Sequence, residues 1–194
     1  NLVGSGPGRI GPERVPAGMQ FAFRKLANAR TRHTCPLEER MNKSKIPVAQ
    51  KEVLSMLIDD HRKVQKIFKD FESEKDHKKR KAMVEEACNE LTMHADLEEQ
   101  VFYPFLREKN PEEFGDLFYE AKVEHASAKD LIAQLSAMGP EDELFSAKFT
   151  VLGEYVSHHV KEEEDELFPK IIKEKVDLRE LLEPMTAQRQ TLVG

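Results

Sequence analysis

The 194-residue chain has no tryptophan, three tyrosines and two cysteines. So few large aromatics leave little material for a surface that stacks nucleic-acid bases. Cys35 and Cys88 cannot build a disulfide framework, which fits a reduced, cytoplasmic protein. Nowhere do 18 apolar residues run together, so no membrane span is expected. No apolar run sits between a basic start and a small-residue cleavage site, the pattern of a signal peptide. Period-two alternation between turn signals is also missing, which argues against β-structure. What remains is a globular composition, 39% hydrophobic and 34% charged, with a net charge of -6.

That charge is unevenly placed. Residues 1–45 carry nine Lys/Arg and three Asp/Glu, a net of +6; residues 46–194 carry 21 and 33, a net of -12. The first twenty residues hold five of the nine glycines and three of the ten prolines, and no hydrophobic period survives there. Residues 1–45 therefore read as a disordered basic extension or leader. An Arg-rich amphipathic stretch around Phe21, Phe23 and Leu26 has the composition of a targeting peptide, while MNKSKIPVAQ from Met41 reads as a natural start. The acidic body argues against a nucleic-acid partner.

From Pro47 onward the pattern is helical. The first helix is expected over Val48–Ser73, with Leu54, Leu57, His61, Val64, Phe68 and Phe71 spaced by threes and fours. The second, over His77–Arg107, repeats the spacing through Val84, Ala87, Leu91, His94, Glu98, Val101 and Phe105. Asn110-Pro111 breaks it, and the third helix aligns Phe114, Phe118, Ala121, His125, Ala128, Ile132 and Leu135. The fourth is expected to open on Glu141-Asp142-Glu143 and to align Phe145, Phe149, Leu152, Val156, His159, Glu163, Leu167 and Ile171. Such spacing puts each set on one helical face. Four striped helices on short loops predict an all-α, up-down-up-down antiparallel four-helix bundle over residues 46–175. Residues 176–194 are expected to form a short helix, Leu178 to Leu182, and a tail.

Polar residues interrupt the stripes. His61, His94, His125 and His159 each fall on the core line, one per helix, a placement that chance gives roughly one time in thirty. Glu98 and Glu163 join them, each four residues after a histidine. Burying these groups unpaired costs several kcal/mol, and a metal centre compensates because cations accept both imidazole nitrogen and carboxylate oxygen. The other polar residues near the stripes, among them His158, Glu99, Glu162 and Glu164, read as surface groups, with a lesser chance that the glutamates orient ligands. Cys88 reads as a small buried apolar residue. Six ligands exceed what one tetrahedral zinc needs, so a dinuclear site is preferred. No catalytic residue is singled out.

The chain also repeats itself. His94-Ala-Asp-Leu-Glu98-Glu99 and His159-Val-Lys-Glu-Glu163-Glu164 both read H-x3-E-E, and each is followed by an aromatic residue and a proline, with Pro104 and Pro169 ten residues after the histidine. His61 precedes His94 by 33 residues, and His125 precedes His159 by 34. Two copies of a helical hairpin, each supplying two histidines and one glutamate, account for this.

With Asp60-His61, these segments resemble hemerythrin-like HHE cation-binding domains over roughly residues 50–173. The resemblance implies two non-haem iron ions bridged by carboxylates and an oxygen species. His61, His94, His125 and His159 would be terminal ligands, and Glu98 and Glu163 bridges. Oxygen-carrying hemerythrins have a further histidine one turn along the third helix, where this chain has Lys129. The four-His, two-Glu set is more similar to bacterial iron-centre repair proteins and hemerythrin-like sensors, although the cysteine-containing domain of the repair proteins is missing. The implied function is binding or sensing of dioxygen, nitric oxide or iron. Alternatives are a di-iron oxidase, an enzyme consuming peroxide or nitric oxide, an iron donor for repair, and a structural bundle stapled by metal.

Overall fold

The computed structural model describes residues 41–193, with side chains to residue 191. The expectations for residues 1–40, including the stretch around Phe21, lie outside the described residues. The extension expected to be disordered to residue 45 ends instead in a 3-10 turn, Lys43–Lys45, capped by the Asn42 side chain, which accepts from the Ser44 N–H at 2.9 Å. Ile46 beyond it is buried.

Among the described residues every regular element is helical. The helices are α1 (Val48–Ser73), α2 (His77–Leu97), α3 (Tyr103–Lys109), α4 (Pro111–Ser136), α5 (Phe145–Glu162), α6 (Phe168–Lys173) and α7 (Leu182–Val193). Their ends follow local chemistry. Asp76 caps α2 by accepting from the Lys79 N–H at 2.9 Å, and Asn110 caps α4 with Pro111 in its first turn. The fourth long helix does not open on the acids at 141–143. Asp142 accepts the Gly139 N–H on its side chain and the Phe145 N–H on its carbonyl, so these residues make turns and the helix starts at Phe145. The segment Leu178 to Leu182, expected as a short helix, instead makes a 3-10 turn at Arg179–Leu181, and the expected tail is helical as α7, with Pro184 in its first turn, where a missing N–H costs nothing.

Two π-helical turns were not anticipated: Glu98–Phe102 joins α2 to α3, and Glu163–Leu167 joins α5 to α6. Their cause is in the repeat. In an uninterrupted α-helix the ring of Pro104 would clash with the Gln100 carbonyl and leave it without a donor. Instead the Tyr103 N–H reaches back five residues to the Glu98 carbonyl, and Phe168 does the same to Glu163. The extra residue shifts the stripe. Val101 and Phe105, expected in the core, are half-buried, and Phe102 and Leu106 are fully buried in their place.

The core forms two apolar clusters. One gathers Leu54, Leu57, Leu97, Phe102, Leu106, Phe114 and Phe168, with Leu178, Leu181 and Met185 from the C-terminal segment. The other gathers Val64, Phe71, Val84, Ala87, Leu135, Phe149, Leu152 and Val156. In α1, α2 and α4 the stripe histidine lies between residues of the first cluster and residues of the second, and His159 lies near the end of α5, after most of its second-cluster residues and before Leu167 and Phe168 of the first. α1 packs on α2 and α4 on α5, while α1 also meets α5 and α2 meets α4.

The shifted stripe has a measurable consequence. Leu106→Ala should destabilise the protein by about 3 kcal/mol in chemical denaturation. Val101→Ala should cost less than half as much, and similar losses would argue against the shift in register.

Candidate metal centre

All six candidate residues meet in the layer between the two clusters. His61 comes from α1, His94 from α2, His125 from α4 and His159 from α5, while Glu98 and Glu163 open the two π-turns. Potential ligand atoms of His61, His94, Glu98 and Glu163 lie within 4.8 Å of one another, as do those of Glu98, His125 and His159. His158 is half-exposed and pairs with Glu162 at 3.0 Å, at the protein's edge. Cys88 is buried, and burial pushes its thiol up to about 11.

Each histidine is held from behind by a different carboxylate. The Nδ1 atoms of His61, His94, His125 and His159 lie 3.0, 3.4, 3.1 and 2.9 Å from Glu164, Asp60, Glu99 and Glu124, respectively. A carboxylate accepts only, so Nδ1 carries the proton and the neutral ring has its lone pair on Nε2. Every Nε2 faces inward. His61 Nε2 lies 3.1 Å from Glu163 Oε2, and His94 Nε2 lies 3.2 Å from Glu98 Oε1. His125 Nε2 lies 3.3 Å from Glu98 Oε2 and 3.2 Å from His159 Nε2.

Sequence reasoning placed these rear carboxylates poorly. Glu164, assigned to a surface, is buried and joins His61 to Arg62, whose Nη1 donates to it at 2.7 Å. Glu99 supports His125 and accepts from Lys129 at 2.9 Å, and Glu124 was not singled out at all. Asp60 also pairs with Arg189 of α7. A signal for them existed. Asp60 and Glu124 immediately precede the first histidine of each half and support the second histidine of that half. Glu99 and Glu164 follow the stripe glutamates and support the first histidine of the opposite half. Tyr103 was noted only as part of the repeat, yet its buried hydroxyl donates to Glu163 Oε1 at 2.7 Å.

The donor set fits a cation. His61 Nε2, His94 Nε2, both Glu98 oxygens and Glu163 Oε2 are buried without a hydrogen-bond partner. With Nδ1 protonated, lone pairs face lone pairs across this space, and only protons or cations relieve that. Without metal, protons are drawn in. Burial pulls the His94 pKa down, but Glu98 and Asp60 outweigh it and push it up to about 10. His61 and His159 are raised against burial in the same way, chiefly by Glu163. Burial pushes Glu98 up, yet His94 and its neighbours hold it well below the usual carboxylate range.

Two predictions follow from this geometry. Glu164→Gln should weaken metal binding about 10- to 100-fold by freeing the His61 ring, while Asp165→Asn on the exposed face should leave it unchanged in a metal titration. The second concerns pH. The folded His94 pKa of about 10 lies above its ordinary 6.5, so its contribution to metal-free stability is complete below 6.5 and is lost as pH rises through 10. Thermal denaturation of chelated protein should show that decline, and metal-loaded protein should not. A parallel decline in both would count against the inward nitrogens as ligands.

Comparison with known proteins agrees with the donor set. The hemerythrin HHE cation-binding domain matches residues 52–171. The chain is also 33% identical over 112 residues to a protein of Nostoc sp. named DNA nickase, a match covering 58% of this chain and 31% of that protein. No solved structure matches. The domain match spans more than half of the chain and contains every histidine and glutamate of the buried layer, and the chain belongs to the hemerythrin HHE cation-binding family.

Proposed function

We propose that this protein is a non-haem di-iron protein of hemerythrin type that binds or senses dioxygen, nitric oxide or iron. The observation that carries the reading is the division of Glu98: Oε1 faces His94, and Oε2 faces His125 at 3.3 Å and His159 at 3.7 Å. One carboxylate spanning two pairs of imidazoles suits two ions rather than one. His61, His94, His125 and His159 would hold them as terminal ligands, with Glu98 and Glu163 between. Iron bound there would supply reversible redox chemistry and affinity for small diatomic ligands.

The chain's own residues prepare the site for that role. The rear carboxylates fix each ring and raise its basicity. Phe102, Phe168 and the neighbouring leucines keep water away, which strengthens every electrostatic contact inside. The scaffold is read as an up-down-up-down four-helix bundle over residues 46–175, with residues 176–194 as a cap. This is supported by the order in which the long helices run between the two apolar clusters: first to second in α1 and α4, and second to first in α2 and in α5 continued through its π-turn into α6. Likeness to the protein named DNA nickase covers less than a third of that protein, and nicking is not carried over to this chain. No helix among the described residues is long and apolar enough to cross a membrane.

Anaerobic reconstitution followed by elemental analysis should find about two irons per chain. The optical spectrum on exposure to air or nitric oxide should then change. A single tightly held zinc with no uptake of iron would overturn the reading.

A further inference from the structure

The two halves of the site are related by an approximate twofold pattern, and it fails at one pair of positions. Nine residues after the second histidine of each half stands an aromatic residue: Tyr103 after His94, Phe168 after His159. Both are buried and both directly follow a π-turn. Both also reach a histidine of the opposite half. Tyr103 lies edge-on to His125 at 6.2 Å between ring centroids, and Phe168 lies parallel to His61 at 6.1 Å. They differ by one hydroxyl group.

That hydroxyl makes the two stripe glutamates unequal. Glu98 has no hydrogen bond on either oxygen and presents one to each pair of histidines. Glu163 has Oε1 engaged by Tyr103 and presents only Oε2, which lies nearer His61 (3.1 Å) than His159 (3.8 Å). One group of converging atoms therefore has four members, His61, His94, Glu98 and Glu163, and the other has three, Glu98, His125 and His159.

Resting on the dinuclear reading above, we propose that Tyr103 is a positioning residue that makes the two metal positions unequal: by holding Glu163 Oε1 it leaves the His125–His159 position one carboxylate oxygen short. The ion between His125 and His159 is thus the weaker and more exchangeable one. With one donor fewer, that position would also leave more room for an incoming small ligand. The π-turn is part of the device, because an α-helical residue advances by about 100°, and without the extra residue Tyr103 would point away from Glu163.

Anaerobic titration of the full chain with cobalt(II), followed by calorimetry and visible absorption, tests this. The wild type should bind two ions in separate steps, the second about tenfold weaker or more. Tyr103→Phe removes only the hydroxyl, and the gap should close by about that factor while both ions are retained, a change that a purely structural role would not produce. His125→Ala should abolish the weak step and leave the tight one at its wild-type affinity. Equal affinities in the wild type, an unchanged gap in Tyr103→Phe, or loss of the tight step in His125→Ala would each overturn the proposal. Failure of the wild type to bind any cobalt would instead sink the dinuclear reading on which the proposal rests.

Discussion

Four imidazoles and two carboxylates share one largely buried layer between two apolar clusters, and much of the structure serves to make that layer tolerable. Desolvating so many ionisable groups costs several kcal/mol each unless every one finds a partner. The partners come from two sides. Carboxylates behind the rings fix the Nδ1 protons, and the inward face is left as a convergence of lone pairs that suits a cation. A hydrophobic replacement of the six would stabilise the metal-free fold at least as well, so their presence points to a function in the metal rather than in packing.

The duplicated hairpin makes this economical. One short pattern, a carboxylate before the first histidine and a doublet of glutamates after the second, supplies one inward carboxylate and two rear supports in each copy. Because Glu99 supports His125 and Glu164 supports His61, each half completes the other. Association of the halves therefore completes the site, because an isolated hairpin would hold its second histidine against its own carboxylate but its first histidine without one. The prolines that end each repeat unit force the π-turns, and those turns decide which aromatic face looks into the layer.

Membership of the hemerythrin HHE family carries the chemistry as far as cation binding. Past that point local details take over. Lys129 braces Asp96 and Glu99 at 2.9 Å each, so the third long helix contributes one inward imidazole, His125, and the cation that supports the carboxylate behind it. Arg189 of α7 reaches Asp60, which ties the C-terminal helix to the support of His94. These links connect the buried layer to segments that the ligand pattern alone would have left out.

Helical class, the extent of α1, the histidine on each stripe and the two H-x3-E pairs were legible in the residues, because spacing by threes and fours directly encodes which side chains share a face. Glu141 to Glu143 misled, since their charge suits a helix start but the Asp142 side chain was committed to a turn. Val101 and Phe105 misled because a periodicity argument assumes 3.6 residues per turn, and Pro104 locally breaks that assumption. The sequence by itself determined the helices, the repeat and the set of buried donors, all of which depend on local spacing. Only the tertiary structure decided that Glu164 faces His61, that Glu124 stands behind His159, and that Tyr103 engages one oxygen of Glu163. Those are contacts between residues 35 to 103 positions apart, set by how helices dock: the repeat marks the carboxylates, but local spacing does not record which partner each one meets.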